Sequence, residues 1–429
     1  MPIHDMNYFA NGFVGYQEGP IGIHTADRRF HFYTIGRTGT GKSTMLANMI
    51  IQDLAAGRGL ALIDPHGDLA ESVLPFVPKK RKNQLVYFNP SDIEYPIGLN
   101  MFERVEPHER HLLASNLMSI FRKTWADFWG PRMGYLLHNA LLALLEIQGS
   151  TLLGLVRLLS DKRFRERIVS RVSDPVVRHY WQREFAAFPE RLLPEIVSPV
   201  QNKVGAYLTS NALRNILGQA RTAIDFRQLI NNRGILIVNL AKGRVGEDAA
   251  NLLGSLIVTK LQVAAMQRAN MPEADREDFY LYVDEFQNFT TESFADILAE
   301  ARKYRLNLIL AHQYLGQLDE HIRDAVLANA GTMAVFRIGP EDAKILEREF
   351  EPKYSWLDLT NLSPHSVYYK LVSQGTVREP HFANTLAPTS PAVADPKIYK
   401  QELIELSRRR YASPRSRVEE KIERFMDGE

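Results

Sequence analysis

The sequence contains no cysteine among its 429 residues, which excludes disulfide bonds, thiolate metal sites and a cysteine nucleophile. It also lacks an excess of either charge. The sequence contains 52 lysines and arginines and 50 acidic residues, so a surface for nucleic acid would have to be a local patch. No transmembrane helix is visible in the sequence, since a spanning helix needs roughly 20 mostly apolar residues, and the N-terminus lacks the basic and apolar regions of a signal peptide. We therefore expect no transmembrane helix and no signal peptide.

Two segments that alternate strands and helices flank a helical segment. Short apolar runs between helical patterns predict buried parallel strands, whereas from residue 105 to 220 the apolar residues recur at helical spacing. The predicted strands are 30–35, 60–63, 85–88, 235–240, 279–283, 306–311 and 332–338, and the predicted helices include 43–56, 249–267 and 291–303. The sequence thus predicts an α/β core interrupted by an all-α insertion. The predicted segments are the first part of the core (1–104), the insertion (105–220), the second part of the core (221–400) and a charged C-terminal tail (401–429).

The segment GRTGTGKS, which begins at Gly36, fits the P-loop pattern G-x-x-x-x-G-K-[ST] in full. It follows a predicted strand and opens a predicted helix, which is the structural context of a P-loop. Glycines let backbone N–H groups surround phosphate oxygens, and the helix N-terminus adds a positive dipole end. We expect Lys42 to reach the β- and γ-phosphates of ATP and the Ser43 hydroxyl to ligate Mg²⁺. The candidate nucleotide-binding residues are Gly36, Thr38, Gly39, Thr40, Gly41, Lys42, Ser43 and Thr44.

Two acidic residues, Asp284 and Glu285, follow a predicted strand directly. Ligands of parallel α/β sheets bind at the carboxyl ends of the strands. Asp284 is therefore expected to hold Mg²⁺ beside Ser43, and Glu285 to polarise the attacking water. Gln313 closes the next strand, at the same edge, where its amide would orient the water or sense the γ-phosphate. The alternatives are a helix-capping acid pair and a loop amide bonded to backbone.

The sequence DPHGD, at residues 64–68, brings two further carboxylates toward the same edge of the predicted sheet. A metal site would need more ligands at matching spacing, and the sequence around it shows none. A structured turn, with Asp68 as the N-cap of a helix, explains the motif equally well.

Five segments, in order, resemble the HerA/FtsK superfamily of DNA-translocating ATPases: GRTGTGKST, ALIDPHGD, YLYVDEFQNF, EARKYRLNLILAHQ and FRIGPEDA. The resemblance covers residues 1–104 and 220–385. The helical insertion is similar in place and size to the all-α domain of type IV secretion coupling proteins of TraG/TraD type, which are ring-forming motors that feed relaxase-bound DNA to a conjugation channel. The resemblance implies a RecA-like core, ATP and Mg²⁺ as ligands, DNA as a partner and a hexameric ring. The sequence shows neither the membrane helices of coupling proteins nor the N-terminal β-barrel of HerA helicases.

Carried over position by position, the resemblance implies a Walker B role for Asp284 and Glu285 and a sensor role for Gln313. It also implies that Arg302 is an arginine finger. Arg302 ends a predicted helix and precedes the strand that begins near Leu306, which places it at the amino edge of the sheet, roughly 17–20 Å from its own phosphate site. An ATP that it contacts would belong to a neighbouring subunit. The alternative is a cation favoured at a helix C-terminus.

Candidate DNA contacts are weaker signals in this sequence. Residues 105–215 contain 15 lysines and arginines and 10 acidic residues, an excess of five positive charges. Bases could stack on Trp125, Phe128, Trp129 or Trp181, although core aromatics beside a solvated basic face explain the same pattern. Lys242 and Arg244 follow a strand in a glycine-flanked loop, which could line a ring pore and follow phosphates.

We therefore predict an ATP-hydrolysing, DNA-translocating motor that feeds DNA or nucleoprotein to a type IV secretion channel. The implied further partners are a relaxase and channel proteins. The predicted location is the cytoplasm, or the inner face of the cell membrane through a partner. Two alternatives stay open: a HerA-like helicase working with a nuclease, and an ATP-gated docking module that binds protein cargo without moving DNA.

Overall fold

The computed structural model describes residues 5–14, 17–103, 106–292 and 294–428. The chain divides into two compact units. The first, here the α/β unit, consists of Met1–Phe88, Phe226–Leu240 and Ile257–Ser407, and the second, here the helical unit, of Asn89–Asp225, Ala241–Leu256 and Arg408–Glu429. The four predicted segments, as separate domains, stay a prediction.

Helices form most of the regular structure. Their bounds are α1 (Lys42–Ala55), α2 (Asp68–Val73), α3 (Arg110–Thr124), α4 (Pro131–Leu145), α5 (Leu152–Ser160), α6 (Lys162–Val169), α7 (Pro175–His179), α8 (Leu193–Thr209), α9 (Asn211–Leu217), α10 (Phe226–Asn231), α11 (Lys242–Val245), α12 (Glu247–Met266), α13 (Phe294–Glu300), α14 (Glu320–Asn329), α15 (Pro340–Leu346), α16 (Trp356–Thr360), α17 (Pro396–Tyr411) and α18 (Arg415–Asp427). The predicted helix 291–303 is wrong at both ends, because α13 begins at Phe294 and ends at Glu300, where a 3₁₀ turn continues the chain to Tyr304.

One helix meets the length and composition of a membrane span. Glu247–Asn270, which is α12 with the turn after it, has a mean hydropathy of 1.4, and 78% of its most apolar window is buried inside the protein. A buried core helix meets the same criterion, so this helix alone does not indicate a span.

The α/β unit contains one sheet of eleven strands. The strands of the chain are β1 (Met6–Val14), β2 (Gln17–His24), β3 (Phe32–Ile35), β4 (Gly59–Asp64), β5 (Leu85–Phe88), β6 (Ile235–Asn239), β7 (Phe279–Val283), β8 (Leu306–His312), β9 (Thr332–Val335), β10 (Ser366–Lys370), β11 (Val372–Ser373), β12 (Thr376–Val377) and β13 (His381–Thr385). Their order in the sheet is β2-β1-β13-β10-β9-β3-β8-β7-β4-β6-β5, and β11 and β12 pair separately. The seven strands from β9 to β5 are parallel, which confirms the predicted α/β class with a mostly parallel sheet.

The parallel strands are buried on both faces because helices cover them. All residues of β3, β4, β6 and β7 are buried, as expected for continuous apolar runs in a parallel sheet. β3 lies between β8 and β9, and β7 lies on the other side of β8. The segments that follow β3, β7 and β8 therefore emerge at one carboxyl edge of the sheet, where the candidate site lies.

Part of the sheet departs from the sequence-based prediction. The strand predicted at 30–35 begins only at Phe32, because Asp27–Phe30 form a 3₁₀ turn and His31 has φ of 64°. The strand predicted at 332–338 ends at Val335. Four antiparallel strands, β1, β2, β10 and β13, extend the sheet beyond β9 and were not predicted. Glycine, proline and asparagine weaken the strand pattern in β1 and β2, so pairing with other strands defines them.

The helical unit has the all-α character predicted for the insertion. In the described part of 106–220 the structure contains helices and turns and no strand. Its core includes Trp125, which stacks on Phe121 with ring centroids 4.5 Å apart and donates its indole N–H to the Tyr207 hydroxyl at 3.2 Å. The tail predicted as helical or loose is helical in its described residues, forming the end of α17 and α18.

A buried charge cluster ties α1 to the rest of the α/β unit. Arg28 donates two hydrogen bonds to the Asp53 carboxylate, at 2.7 and 2.8 Å, and Arg58 donates a third at 2.8 Å. Tyr282 and Asn7 also donate to Asp53, at 2.6 and 2.9 Å. Burial alone would raise the pKa of Asp53, but the two guanidinium groups outweigh it and the pKa is lowered. Asp53 therefore stays charged at neutral pH.

We expect Asp53→Ala to lower the free energy of unfolding by about 3–5 kcal/mol, because it leaves two buried cations without their shared partner. The exposed pair of Lys344 and Glu341 supplies the control, since Glu341→Ala should cost no more than about 1 kcal/mol. The measurement is urea denaturation followed by circular dichroism. Equal shifts for Asp53→Ala and Glu341→Ala would contradict the structural role of the cluster.

Candidate nucleotide-binding site

The P-loop connects β3 to α1, as predicted. Gly36 allows close approach, since a Cβ there would lie 2.4 Å from the Phe336 Cβ. Gly39 and Gly41 have φ of 76° and 116°, a region that favours glycine, and nothing lies within 4 Å of a Cβ at Gly39. The Thr40 hydroxyl is used inside the loop, donating to the Arg37 carbonyl at 2.7 Å. Glycine is therefore required for the course of the loop.

The side chains of the P-loop divide between buried and accessible groups. Lys42 is buried, and its ammonium donates to the carbonyls of Gly36 and Arg37, the latter at 3.2 Å. Burial lowers the pKa of Lys42, while the nearby carboxylates Glu285 and Asp284 act in the opposite direction. Along the same loop Thr38 and Ser43 are exposed, and Thr44 is half-buried. The candidate nucleotide-binding residues thus lie on one continuous loop and helix start.

The carboxylates predicted after β7 lie at the same edge of the sheet. Asp284 continues the strand, since its N–H donates to the Ile63 carbonyl of β4 at 3.1 Å. Burial raises the pKa of Asp284 to about 7, with Asp64 and Glu285 adding to the rise and Lys42 opposing it. Glu285 has φ of 46°, so the backbone turns sharply at the catalytic candidate. Glu285 is the N-cap residue of the 3₁₀ turn that follows, but its side chain makes no capping hydrogen bond, and Asp284 accepts the N–H of Glu285 at 3.1 Å.

Two amides hold the Glu285 carboxylate. Gln313 donates to Oε1 at 2.8 Å, and Gln287 donates to Oε2 at 2.8 Å. The Gln313 amide thus donates to the Glu285 carboxylate. The alternative had predicted that it bonds to backbone. Gln287 was not singled out from the sequence, although its place two residues after Glu285 was the available signal. With both oxygens accepting from amides, the orientation of the carboxylate is defined.

Other residues near the P-loop were not predicted from the sequence as part of the site. His365 donates its backbone N–H to the Thr40 carbonyl at 2.8 Å, and a Cβ at Gly41 would lie 2.8 Å from its Nδ1. Phe336 covers Gly36 from the end of β9. His312, left out of the predicted site, is packed against the Tyr33 hydroxyl, and burial together with Lys42 lowers its pKa to about 3. His312 is therefore neutral at physiological pH.

Arg302 lies at the opposite edge of the sheet, where the sequence analysis expected it. It is exposed in the 3₁₀ turn before β8, and its guanidinium lies 3.6 Å from the centre of the Phe30 ring, just before β3. In the part of the chain that the structure describes, no carboxylate pairs with it. β8 runs seven residues from this edge to the site, about 23 Å at a rise of 3.3 Å per residue. Arg302 therefore does not belong to the phosphate site of its own chain.

The DPHGD motif forms a structured turn, which was one of the two predicted readings. The proposed Asp68 N-cap is wrong, because the N-cap of α2 is Gly67 and Asp68 lies in the first turn. The Asp64 carboxylate caps this turn instead, because it accepts hydrogen bonds from the N–H groups of His66 at 2.9 Å and Ala70 at 2.8 Å. Its charge acts on the site through Asp284, whose pKa it raises.

The candidate DNA contacts differ in exposure: some lie at the surface and others are buried. Lys242 and Arg244 lie in α11, a four-residue helix rather than a loop, directly after β6, and Arg244 is exposed. Neither is ion-paired within the described ranges. In the helical unit, Trp125 and Trp181 are buried in the core and unavailable for stacking. Phe128 is exposed beneath the Lys203 ammonium, which lies 3.5 Å from its ring centre.

The residues present fit ATP with Mg²⁺. The Ser43 hydroxyl and the Asp284 carboxylate supply the oxygen donors that Mg²⁺ prefers, and this ion needs few protein ligands beside phosphates. Three carboxylates, of Asp64, Asp284 and Glu285, meet at this edge with Lys42 as the opposing cation, so a bound cation would relieve their repulsion. Among the described residues no cluster of three or more side chains forms a dedicated protein metal cage.

A parallel sheet with a P-loop after an inner strand, and a carboxylate pair after a nearby strand, defines the P-loop ATPase fold with a RecA-like core. Comparison with protein families narrows this class. Residues 16–345 match the family described as the type IV secretion-system coupling protein DNA-binding domain. The chain belongs to this family, and the resemblance predicted from the sequence is confirmed.

Individual relatives agree with this assignment. The type 4 coupling protein DotL of Legionella pneumophila is 24% identical over 426 residues, covering 85% of this chain and 52% of DotL, so the chain spans about half the length of that curated relative. Three solved structures are similar: the bacterial conjugative coupling protein TrwBdeltaN70 (TM-score 0.65, 16% identity, covering 87% of this chain and 88% of that one); the plasmid coupling protein TrwB in complex with ADP and Mg²⁺ (0.63, 17%, 86% and 88%); and VirB4 of Thermoanaerobacter pseudethanolicus (0.56, 15%, 86% and 94%). At these identities the structural likeness shows the shared fold.

Proposed function

We propose that the chain hydrolyses ATP and uses the energy to move DNA, as the motor part of a coupling protein that feeds DNA or nucleoprotein to a type IV secretion channel. One observation carries the catalytic part of this proposal: the Glu285 carboxylate is held by Gln313 and Gln287 at the edge of the sheet where the P-loop lies. Family membership and the TrwB complex with ADP and Mg²⁺ support the choice of nucleotide. The DNA-binding description of the family supports the choice of DNA.

In this proposal each residue acts on a different part of the reaction. The N–H groups of the P-loop and the Lys42 ammonium bind the phosphates, with Lys42 exchanging its present carbonyl partners for phosphate oxygens. Ser43 and Asp284 hold Mg²⁺, which when bound neutralises charge on the phosphate oxygens. Glu285 accepts the proton of the attacking water, and Gln313 and Gln287 fix the carboxylate in the orientation that this requires.

The position of Arg302 supports a shared ATP site and hence a ring. A cation at the amino edge of the sheet, without a carboxylate partner among the described residues, is available to the phosphate site of a neighbouring subunit. We propose a hexamer that contacts DNA through Lys242 and Arg244. A relaxase or channel protein at the inner face of the membrane completes the assembly.

This function predicts DNA-stimulated ATP hydrolysis that weakens steeply with salt, because phosphate contacts release counterions. Replacing both Lys242 and Arg244 by alanine should remove most of the stimulation and keep basal hydrolysis. The slope of log affinity against log salt should become shallower by about 1.4–1.8 for each subunit that contacts the DNA, since each lost phosphate contact contributes about 0.7–0.9. ATPase rates and fluorescence anisotropy with single- and double-stranded DNA measure this, with particle size recorded alongside.

Lys79→Ala combined with Lys80→Ala serves as the matched control, since these two lysines are exposed in a turn that precedes β5 at the amino edge. Stimulation should survive in that variant. ATP hydrolysis that DNA does not change, or DNA binding insensitive to salt, would favour the ATP-gated docking module. Loss of basal hydrolysis in the Lys242 and Arg244 variant would contradict their role as DNA contacts.

A further inference from the structure

The helical unit contains a cavity of about 580 Å³, separate from the nucleotide site. Its wall is formed by the residues around the N-terminus of α5, the segment 218–223 after α9, and one face of α18. The volume falls in the range of pockets that enclose small ligands, about 300–1,000 Å³. Every lining residue belongs to the helical unit, so the cavity is formed within this unit.

Three cations line the cavity. Arg221, Arg417 and Lys421 line it and are exposed, and none of them makes an ion pair within the described chain. No aspartate or glutamate is among the described residues that line it. Two of the four acidic residues of α18 pair with arginines other than those at the cavity: Glu419 with Arg415, and Glu420 with Arg424. The cavity is therefore positively charged and uncompensated.

A buried hydroxyl in the wall also lacks a partner in the part of the chain that the structure describes. Thr151 lines the cavity with only 4% of its surface exposed, and its Oγ1 makes no hydrogen bond. It is the N-cap residue of α5, a nine-residue helix, yet its side chain does not accept the N–H groups of the first turn. A buried polar atom without a partner is costly, and a hydrogen-bonding ligand at the cavity would relieve that cost. The uncapped N-terminus of α5 also favours an anion.

The α18 face of the wall carries apolar side chains and is held in place, while Gln219, Thr222 and Ser413 add polar groups elsewhere in the wall. Val418, Ile422 and Phe425 of α18 face the cavity. The end of α18 is fixed by Arg157, whose guanidinium donates to the Phe425 carbonyl and to Asp161, the latter at 2.9 Å. The beginning of α18 is held by Arg415, whose backbone N–H donates to the Glu94 carbonyl at 2.9 Å. A ligand here would meet a preformed apolar surface beside three cations.

We propose that this cavity binds a short acidic peptide segment of a protein partner, with one large apolar side chain inserted between carboxylates. The cations and the α5 N-terminus would bind the carboxylates, Thr151 would donate a hydrogen bond, and α18 would contact the apolar side chain. Charge complementarity favours an acidic ligand. A nucleic-acid backbone would use the cations but leave the apolar wall without a partner, so we favour a peptide.

The test uses the full chain without nucleotide, so it is independent of ATP hydrolysis. The probes are fluorescein-labelled octapeptides with leucine or phenylalanine flanked by glutamates, together with matched peptides in which glutamine replaces glutamate or serine replaces the apolar residue. Fluorescence anisotropy gives the affinities. We expect saturable binding of the acidic apolar peptides and at least tenfold weaker binding when either element is replaced.

Variants of the protein locate the binding. Arg417→Glu combined with Lys421→Glu should weaken binding more than tenfold, whereas Arg424→Glu, on α18 but outside the cavity, should not. Thr151→Val should weaken binding about three- to tenfold, as for one lost hydrogen bond, while the melting temperature stays equal or rises because the hydroxyl has no partner in the free protein. That combination separates a ligand contact from a structural role.

Three results would overturn the proposal. The first is no binding of the acidic apolar peptides above that of the glutamine peptides. The second is equal binding by the Thr151, Arg417 and Lys421 variants and the wild type. The third is displacement of the peptide by a 20-nucleotide oligonucleotide whose own binding is lost in the same variants, which would assign the cavity to nucleic acid. If the variant with the double charge reversal does not fold, the peptide affinities of Arg221→Gln and Thr151→Val test the same cavity.

Discussion

We expect Arg302→Ala to lower the ATPase rate of the assembled protein by about 10³–10⁵-fold while ATP still binds, because an arginine supplied to a phosphoryl-transfer site contributes that much. Its guanidinium packs on Phe30 at the amino edge of the sheet, about 23 Å along β8 from the site of its own chain. The effect therefore has to act across a subunit boundary. Lys303→Ala, which removes the exposed neighbouring cation, should leave the rate nearly unchanged.

Mixing inactive variants tests the shared site directly. Lys42→Ala subunits keep Arg302 but cannot hydrolyse, and Arg302→Ala subunits keep an intact P-loop. Mixed rings should recover part of the activity in proportion to adjacent productive pairs. A mixture of Lys42→Ala with Glu285→Gln should recover none, since both defects fall in the same chain's site. If mixed rings form and the rate stays flat at every ratio, Arg302 is only a surface cation at the end of a helical turn.

The second large effect is expected at Glu285. Glu285→Gln should slow hydrolysis by about 10²–10⁴-fold, the usual contribution of a positioned base, with ATP affinity kept because Lys42, Ser43 and Asp284 are unchanged. The new amide cannot accept a proton from water. Stopped-flow binding of a fluorescent ATP analogue and single-turnover hydrolysis separate the two properties.

The two amides on Glu285 provide a graded comparison. Gln313→Ala and Gln287→Ala each remove one hydrogen bond of 2.8 Å to the carboxylate, so each should lower the single-turnover rate less than Glu285→Gln does. As positioning residues they should act through Glu285, so adding either change to Glu285→Gln should have little further effect. Normal turnover in Glu285→Gln would remove Glu285 from the role of base and leave the amides without a catalytic purpose.

Some parts of the site could be predicted from the sequence because they are local. The P-loop is a continuous segment in which the geometry of phosphate and Mg²⁺ binding accounts for each glycine, the lysine and the serine. An apolar run before it indicates the strand. Asp284 and Glu285 are likewise predictable, since a carboxylate after a buried strand must lie at the carboxyl edge. Even the edge occupied by Arg302 follows from the direction of the strand that comes next.

Other parts could not be predicted, because they depend on segments far apart in the chain. The packing of His365 and Phe336 on the P-loop exists only because β9 pairs with β3 and β10 pairs with β9. The antiparallel strands β1 and β2 have weak patterns of their own and are defined by their pairing partners. The Asp68 N-cap was misassigned because Asp64, four residues earlier, competes for the N–H groups of the turn.

The sequence by itself determined which chemical groups are present: a P-loop with Lys42 and Ser43, a carboxylate pair after a strand, and no cysteine, hence no thiol chemistry. The tertiary structure alone decided that β8 lies between β3 and β7, which brings Gln313 onto Glu285 and leaves Arg302 at the other edge. It also decided that Thr151, Arg221 and α18 enclose one cavity. The reason is physical: spacing along the chain encodes local periodicity, whereas the order of strands and the meeting of distant helices follow from which pairings bury the most apolar surface and satisfy the backbone.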